Sequence, residues 1–262
     1  MLYFPQLNSG GVTQFPIEKT LATRTVINDA WSGQQVKYED DGAPLTRWRL
    51  EYRGLENDEF ERIRALFETS RGRLGTFAFL DPAANLLAWS EDLARGAWVR
   101  DPFLAATAGI ADPWGTTRGT VLTNSGPAWQ GVTQSLPVSG QFQYAFSVWA
   151  RSPAGSPARL VRTAGTQNTF QEAQLDETWR RISLVGSPAA EVDQVSFGIQ
   201  LGIGGQIQVA GFQVEAQLSP SLYRASTARN GVYLNARFDQ DELRLTSGSF
   251  EDLSTTVEII AR

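Results

Sequence analysis

The sequence predicts a mainly β protein: a split β-rich domain with one α-helix, interrupted by an antiparallel, jelly-roll-like β-sandwich. Three observations predict it. Apolar and polar residues alternate in short runs along most of the 262 residues, which is the period of half-buried strands. Only one stretch carries helical periodicity. Composition also changes twice, dividing the chain into residues 1–82, 83–225 and 226–262.

The opening block holds both lysines, Lys19 and Lys37, and the helical stretch NDEFERIRALFETSRG. Asn57 is the expected N-cap, Asp58 and Glu59 favour the first turn, and Gly72 supplies a stop. Phe60, Ile63, Leu66 and Phe67 form one apolar stripe. Before it, Trp48, Leu50 and Tyr52 alternate with Arg49, Glu51 and Arg53 as a strand does, and Phe77 to Leu80 is a second strand closing on Asp81-Pro82.

The middle block has no lysine and is dense in Gly, Ser, Thr, Pro and Gln. Its predicted strands cover 131–136, 144–151, 158–163, 179–185, 194–200 and 206–215, separated by turn signals such as Ser139-Gly140 and Gly204-Gly205. Short strands at such spacing with no long helix predict a sandwich. The closing block carries Val232, Leu234, Leu243, Leu245, Val257, Ile259 and Ile260, too few for a core of its own. The expected arrangement is therefore a discontinuous domain of residues 1–82 and 226–262, with 83–225 inserted between surface-exposed ends.

Absences narrow the chemistry. The chain has neither Cys nor His, so thiolate, Ser-His-Asp and Cys-His mechanisms are excluded, and no Cys- or His-ligated metal site exists. Catalysis would rest on carboxylates, Tyr, Arg or the two lysines, and no such constellation stands out, so no catalytic residue, no metal and no cofactor is assigned. A net charge of −5 without a basic run argues against a dedicated nucleic-acid surface. MLYFPQLNSGG lacks the charged and apolar regions of a secretory signal, and no apolar run is long enough to span a bilayer, so the expectation is a soluble chain made in a cytoplasm with no membrane insertion.

FPQL near the start, then RWRLEYRGLENDEFERIRALFETSRGRLGTFAFLDP and ARFDQDELRLTSG, resemble the distal tail proteins of long-tailed phages and gene transfer agents over slightly under half the chain. NLLAWSEDLARGAW, DPWGTTRGTVLT, GVTQSL, QYAFSVWARS, ETWRRISL and GFQVEAQLSPSLYRAST are similar to carbohydrate-binding-module-like sandwiches of phage structural proteins. Trp114 stands where those modules usually carry a polar residue before Gly115. The resemblances imply a virion structural protein at the tail tip, assembled in the bacterial host cytoplasm. They also imply a homo-oligomeric ring, commonly hexameric, between the tail tube and tail hub proteins. The inserted sandwich would face host-surface polysaccharide, where several weak sites gain avidity. Alternatives are a free-standing lectin-like adhesion module and a carboxylate-dependent glycosidase.

Trp114 and Trp129 lie in Gly- and Pro-rich loops and are the sugar-stacking candidates, with Gln130 and Arg118 as hydrogen-bonding partners. The competing reading is that both indoles cover a sheet edge or a neighbouring subunit. Trp98, Trp149 and Trp179 are expected in the core. Arg162, Gln171, Gln200 and Gln208 would line a concave face or simply be solvated. The acidic runs Glu39-Asp40-Asp41-Gly42 and Asp239-Gln240-Asp241-Glu242 read as hairpin turns before metal sites. Tyr3, Phe4 and Trp31, within the segments 1–11 and 29–42, are the candidate oligomer-interface anchors, with packing inside their own fold as the competing reading.

Overall fold

The computed structural model describes residues 1–40, 45–249 and 252–262. The strands run β1 (Ile17–Ala22), β2 (Thr25–Asp29), β3 (Gln35–Glu39) and β4 (Leu45–Leu55), followed by helix α1 (Asn57–Ser70) and β5 (Phe77–Leu80). Then come β6 (Val99–Arg100), β7 (Leu104–Ile110), β8 (Gly119–Asn124), β9 (Gln130–Leu136), β10 (Tyr144–Arg151) and β11 (Ala158–Ala164). β12 (Gln167–Ala173), β13 (Arg180–Gly186), β14 (Val195–Leu201) and β15 (Gln206–Glu215) follow, and β16 (Val232–Phe238), β17 (Thr246–Ser249) and β18 (Asp252–Ala261) end the chain. The protein is mainly β with one helix among the described residues, as its alternation predicts.

Contacts divide the chain into two compact units. The first comprises Met1–Leu7, Thr13–Phe79 and Tyr233–Arg262. Its sheet has the order β1-β4-β18-β16-β5, with β17 paired to β18. β18 pairs antiparallel with β4, Val257 opposite Leu50 and Ile259 opposite Trp48, so the opening and closing stretches share one sheet. The alternation of β4 buries Trp48, Leu50 and Tyr52 on one face and leaves Arg49 and Glu51 on the other, where Arg49 pairs with Glu258 at 3.2 Å.

Helix α1 begins one residue before the sequence places it. Glu56, not Asn57, is the N-cap, in a reciprocal capping box with Glu59. The turn out of the helix passes through Arg71 and Gly72, both with φ near +60°. Phe60, Ile63 and Leu66 are buried, and Phe67 meets Phe238 edge-on at 5.1 Å.

Strands β2 and β3 form a separate two-stranded ribbon within a segment where the sequence shows no regular pattern. It pairs Val26 with Tyr38 and Asn28 with Val36. Of the acidic run after it, Asp41 and Gly42 lie outside the described residues. The second acidic run engages arginines instead: Asp239 lies 3.4 Å from Arg47, and Asp241 lies 3.8 Å from Arg73.

The second unit comprises Asn8–Val12 and Leu80–Val232. It is a sandwich of two five-stranded sheets, β13-β10-β15-β8-β7 and β12-β11-β14-β9-β6. Their inner faces meet through Tyr144, Phe146, Phe197 and Phe212, all fully buried; Phe197 lies 5.4 Å from Tyr144 and 5.8 Å from Phe146. Trp98 joins this core against Phe212 at 4.9 Å. β6, β7, β8 and β12 are absent from the strands that the sequence predicts.

Candidate functional site

The two outer faces of the sandwich differ. That of β13-β10-β15-β8-β7 is covered by the chain itself. Ser147 and Gln213 are fully buried there and Glu215 nearly so. Gln213 accepts from Arg224 N at 2.7 Å and donates to Leu222 O at 3.3 Å. Glu215 accepts from Ser221 N at 2.9 Å, and Arg181 reaches Ser147 at 3.0 Å and the Ser221 carbonyl. These bonds lay the segment after β15 across the sheet.

Trp114 completes that cover. It stacks on Tyr223 with centroids 4.8 Å apart and meets Trp149 edge-on at 6.0 Å. Its ring rests on Gly211, whose φ is +62° and where a Cβ would sit 2.5 Å from Trp114 Cη2. Loop 112–118 is held by Asp112, which accepts from Trp114 N and Thr116 N, each at 2.9 Å, and from the Thr116 hydroxyl. Burial pushes the Asp112 carboxyl up, but these bonds outweigh it and hold it below its ordinary value. Arg118 is bound to Glu91 at 2.9 Å and lies 3.6 Å from Asp112. Trp114 and Arg118 are thus brought together, in a cluster held by its own stacking and hydrogen bonds, with Trp114 40% exposed.

The outer face of β12-β11-β14-β9-β6 is open. Cross-strand register places Arg159 between Glu172 and Gln200, Val161 between Phe170 and Gly198, and Thr163 between Asn168 and Ser196. Thr133 and Ser135 of β9 continue these rows. The Arg159 guanidinium lies 4.2 Å from the centroid of the Trp129 ring and 3.9 Å from that of Phe170, so it is layered between two aromatics. Its Nε donates to Gln200 at 2.9 Å, and Glu172 lies 3.8 Å away. Beyond the stack the face is mostly Gly, Ser and Thr, with Val161, Asn168 and Val99 among them, and Ser135, Thr163, Ser196 and Asp193 line a shallow depression at its far end.

Of the four glycan-site candidates Trp114, Arg118, Trp129 and Gln130, Trp129 alone belongs to this face. Trp114 and Arg118 lie on the outer side of the opposite sheet. Gln130 is a correction: alternation turns it to the inner side, where it is buried, accepts from Phe103 N at 3.2 Å and donates to its neighbour's carbonyl. The concave-face set does not assemble either. Gln200 is on the open face; Arg162 is buried on the inner side against the Gly186 and Ser187 carbonyls; Gln208 holds Arg151 on the other sheet; Gln171 is exposed on an edge strand. Trp179 is half-buried under the Arg151 guanidinium, outside the core. Phe170 and Arg159 went unnoticed in the sequence, since only strand pairing brings them to Trp129.

In the first unit, Phe4 is a correction as well. It is 1% exposed and packs on Phe77, Phe79 and Phe238, so it serves its own core. Tyr3 bridges to Ala78 and is half-buried. Trp31 is fully exposed. Among the described residues, no group of three metal-ligating side chains occurs, and no helix is long and apolar enough to cross a membrane.

No protein family matches the chain, and no curated protein does. Similar solved structures include the enzymatically active domain of bacteriophage CBA120 tailspike protein 4, with 12% identity and a TM-score of 0.41, over 52% of this chain and 22% of that one. They also include the CBM22-1 xylan-binding domain of Paenibacillus barcinonensis Xyn10C, with 15% identity and a TM-score of 0.42, over 54% and 99%. A third is TmCBM61 in complex with β-1,4-galactotriose, with 11% identity and a TM-score of 0.35, over 45% and 88%. In a Clostridium thermocellum xylanase comprising CBM22-1 and GH10 modules, this chain spans 30% of the length.

Proposed function

We propose that this protein is a structural component of a phage tail tip, oligomeric through its first unit, whose sandwich binds host-surface glycan on the open face described above. Binding, not bond cleavage, is its role there. The observation that carries the glycan reading is the arrangement on the open outer face: Phe170, 41% exposed, stands beside Trp129 and Arg159 on a face that no other described segment crosses, whereas Trp114 on the opposite face is engaged by Tyr223 and Trp149. An aromatic edge next to rows of hydroxyls suits a sugar, whose C–H face stacks while its hydroxyls exchange hydrogen bonds. The tail-tip part is supported by the resemblance of both ends of the sequence to distal tail proteins.

Calorimetric titration of the full chain with polysaccharide fractions from host cell surfaces tests the site. Saturable binding is expected, weakened about tenfold by Phe170→Ala, a loss on the order of 1.4 kcal/mol, and unchanged by Trp114→Ala. Absence of binding to every fraction overturns the glycan reading, and release of reducing ends would make the protein a hydrolase. Negative-stain images showing only single copies would overturn the ring.

A further inference from the structure

Among the described residues of the second unit, three guanidiniums are layered on indoles, and two of them are neutralised by an acid. Arg95 lies 4.4 Å from the Trp89 centroid and pairs with Asp92 at 2.8 Å. Arg159 lies 4.2 Å from that of Trp129, with Glu172 at 3.8 Å. Arg151 lies 4.8 Å from that of Trp179 and forms no ion pair with any described residue. Its Nε donates to Gln208 Oε1 at 2.7 Å. Nη1 and Nη2 have no described acceptor, and neither is buried. A guanidinium stays charged at any working pH, so this half-buried side chain carries an unmatched charge.

Arg151 stands just beyond the cover on its sheet. The contacts of Trp114 reach Trp149 and Gly211. Arg151 takes the next outward position along β10, opposite Gln208 of β15. Gln208 lies opposite Val121, and Val121 opposite Thr107. The row therefore runs from the guanidinium through an amide to half-buried Val121 and exposed Thr107 at the sheet's edge. Three strand spacings make it about 14 Å long.

We infer that this row is a second saccharide site, whose ligand carries a carboxylate on the sugar ring. With Nε taken by Gln208, the guanidinium presents its end, where the N–H groups of Nη1 and Nη2 lie parallel and match the two oxygens of a carboxylate. Gln208 Nε2 adds a donor beside it, and Val121 and Thr107 form a low, uncharged floor for the ring that bears the acid. A uronic acid within a polysaccharide has this combination. An acidic peptide fits less well, because extended peptides gain affinity by main-chain pairing at a sheet edge. Arg151 and Gln208 lie on the face of two inner strands. The site is on the opposite side of the sandwich from Trp129 and Phe170 and does not rest on the glycan reading of that face.

Calorimetric titration of the full chain with oligomers of galacturonate, glucuronate and mannuronate, each beside its methyl ester, tests the inference. At least one acid oligomer is expected to bind, more weakly as its ester and more weakly as salt rises. Arg151→Gln should lower that affinity about tenfold, the lower end of what a charge-assisted bond contributes. Thr107→Glu, at an exposed edge position, should lower it too by repulsion, without touching the Trp179 stack. Phe170→Ala should leave it unchanged while weakening any glycan held on the open face, so either site can fail alone. Equal affinity for acid and ester overturns the inference, as does wild-type affinity in Arg151→Gln or no binding of any of the three acids. Oligoglutamate binding as tightly as the best uronate would mean a bare charge contact and overturn it as well.

Discussion

Trp114 stacks on Tyr223 with the two ring planes 19° apart, and this contact separates the two loop tryptophans into different roles. The Tyr223 hydroxyl is bonded to Ser90 at 2.9 Å, and burial drives its ionisation far above the ordinary range. Trp114→Ala removes one face of this stack and uncovers Gly211. A fully buried Trp costs about 3–5 kcal/mol on truncation to Ala. Trp114 is 40% exposed, and its removal lets water reach the Trp149 indole N–H, which is buried without a partner. A loss of about 2 kcal/mol is expected, read as a shift in urea midpoint. A change within about 0.5 kcal/mol would show that Trp114 is a free surface platform.

Arg159 gives the corresponding test on the open face. Its planar guanidinium is layered between Trp129 and Phe170, a geometry that a lysine ammonium does not reproduce. Arg159→Lys keeps the charge but frees both rings to tilt. Glycan affinity should fall about five- to tenfold, with stability changed by less than about 1 kcal/mol. Equal affinity in Arg159→Lys would mean that the alignment of the rings is irrelevant to binding.

Loop 112–118 has a pH signature. The Asp112 carboxyl is held below its ordinary value by the bonds it accepts from Thr116 and Trp114. A depressed folded value stabilises the protein above the unfolded value of about 3.9, and the benefit disappears as pH falls through the lower, folded value. Wild type should therefore exceed Asp112→Asn in stability by a constant margin from about pH 5 to 7, and the margin should narrow below about pH 4. Urea midpoints measured across that range decide it; a margin that is constant down to about pH 2 would show that the charge contributes nothing.

The sequence carries the strands it can mark by alternation and hides those it cannot. β4 and β10 announce themselves because one face is buried and the other solvated or covered by polar groups. β12 reads QNTFQEA and looks like a loop, since an edge strand facing solvent needs no apolar period. β7 reads LAATAGI, and small residues leave no contrast between its faces. Trp129 is visible as a loop aromatic, but Phe170 lies 41 positions further on in that polar edge strand. Gln130, next to Trp129, was expected to share its site; in a strand, consecutive side chains point to opposite faces.

Buried amides hold the sandwich's loops, and Asn85 and Asn124 each make four hydrogen bonds to backbone groups; Asn85 is the one that reaches the sealing segment. It is buried, and its Nδ2 donates to Phe212 O at 2.7 Å and Arg224 O at 3.1 Å. Its Oδ1 accepts from Leu87 N and Val214 N, both at 3.1 Å. One side chain thus ties the entry segment to β15 and to the segment that seals the outer face. Asn85→Leu preserves volume but leaves four backbone groups without this partner, each buried unsatisfied group costing about 1–3 kcal/mol. Relaxation and water entry recover part of that, so a loss of about 4 kcal/mol is expected. Asn85→Asp should be comparably harmful, because it turns a carboxylate oxygen toward the Phe212 and Arg224 carbonyls. Urea unfolding monitored by tryptophan fluorescence measures both. If Asn85→Leu unfolds within about 1 kcal/mol of wild type, the four bonds are dispensable and the cover over β15 is held by Gln213 and Glu215 alone.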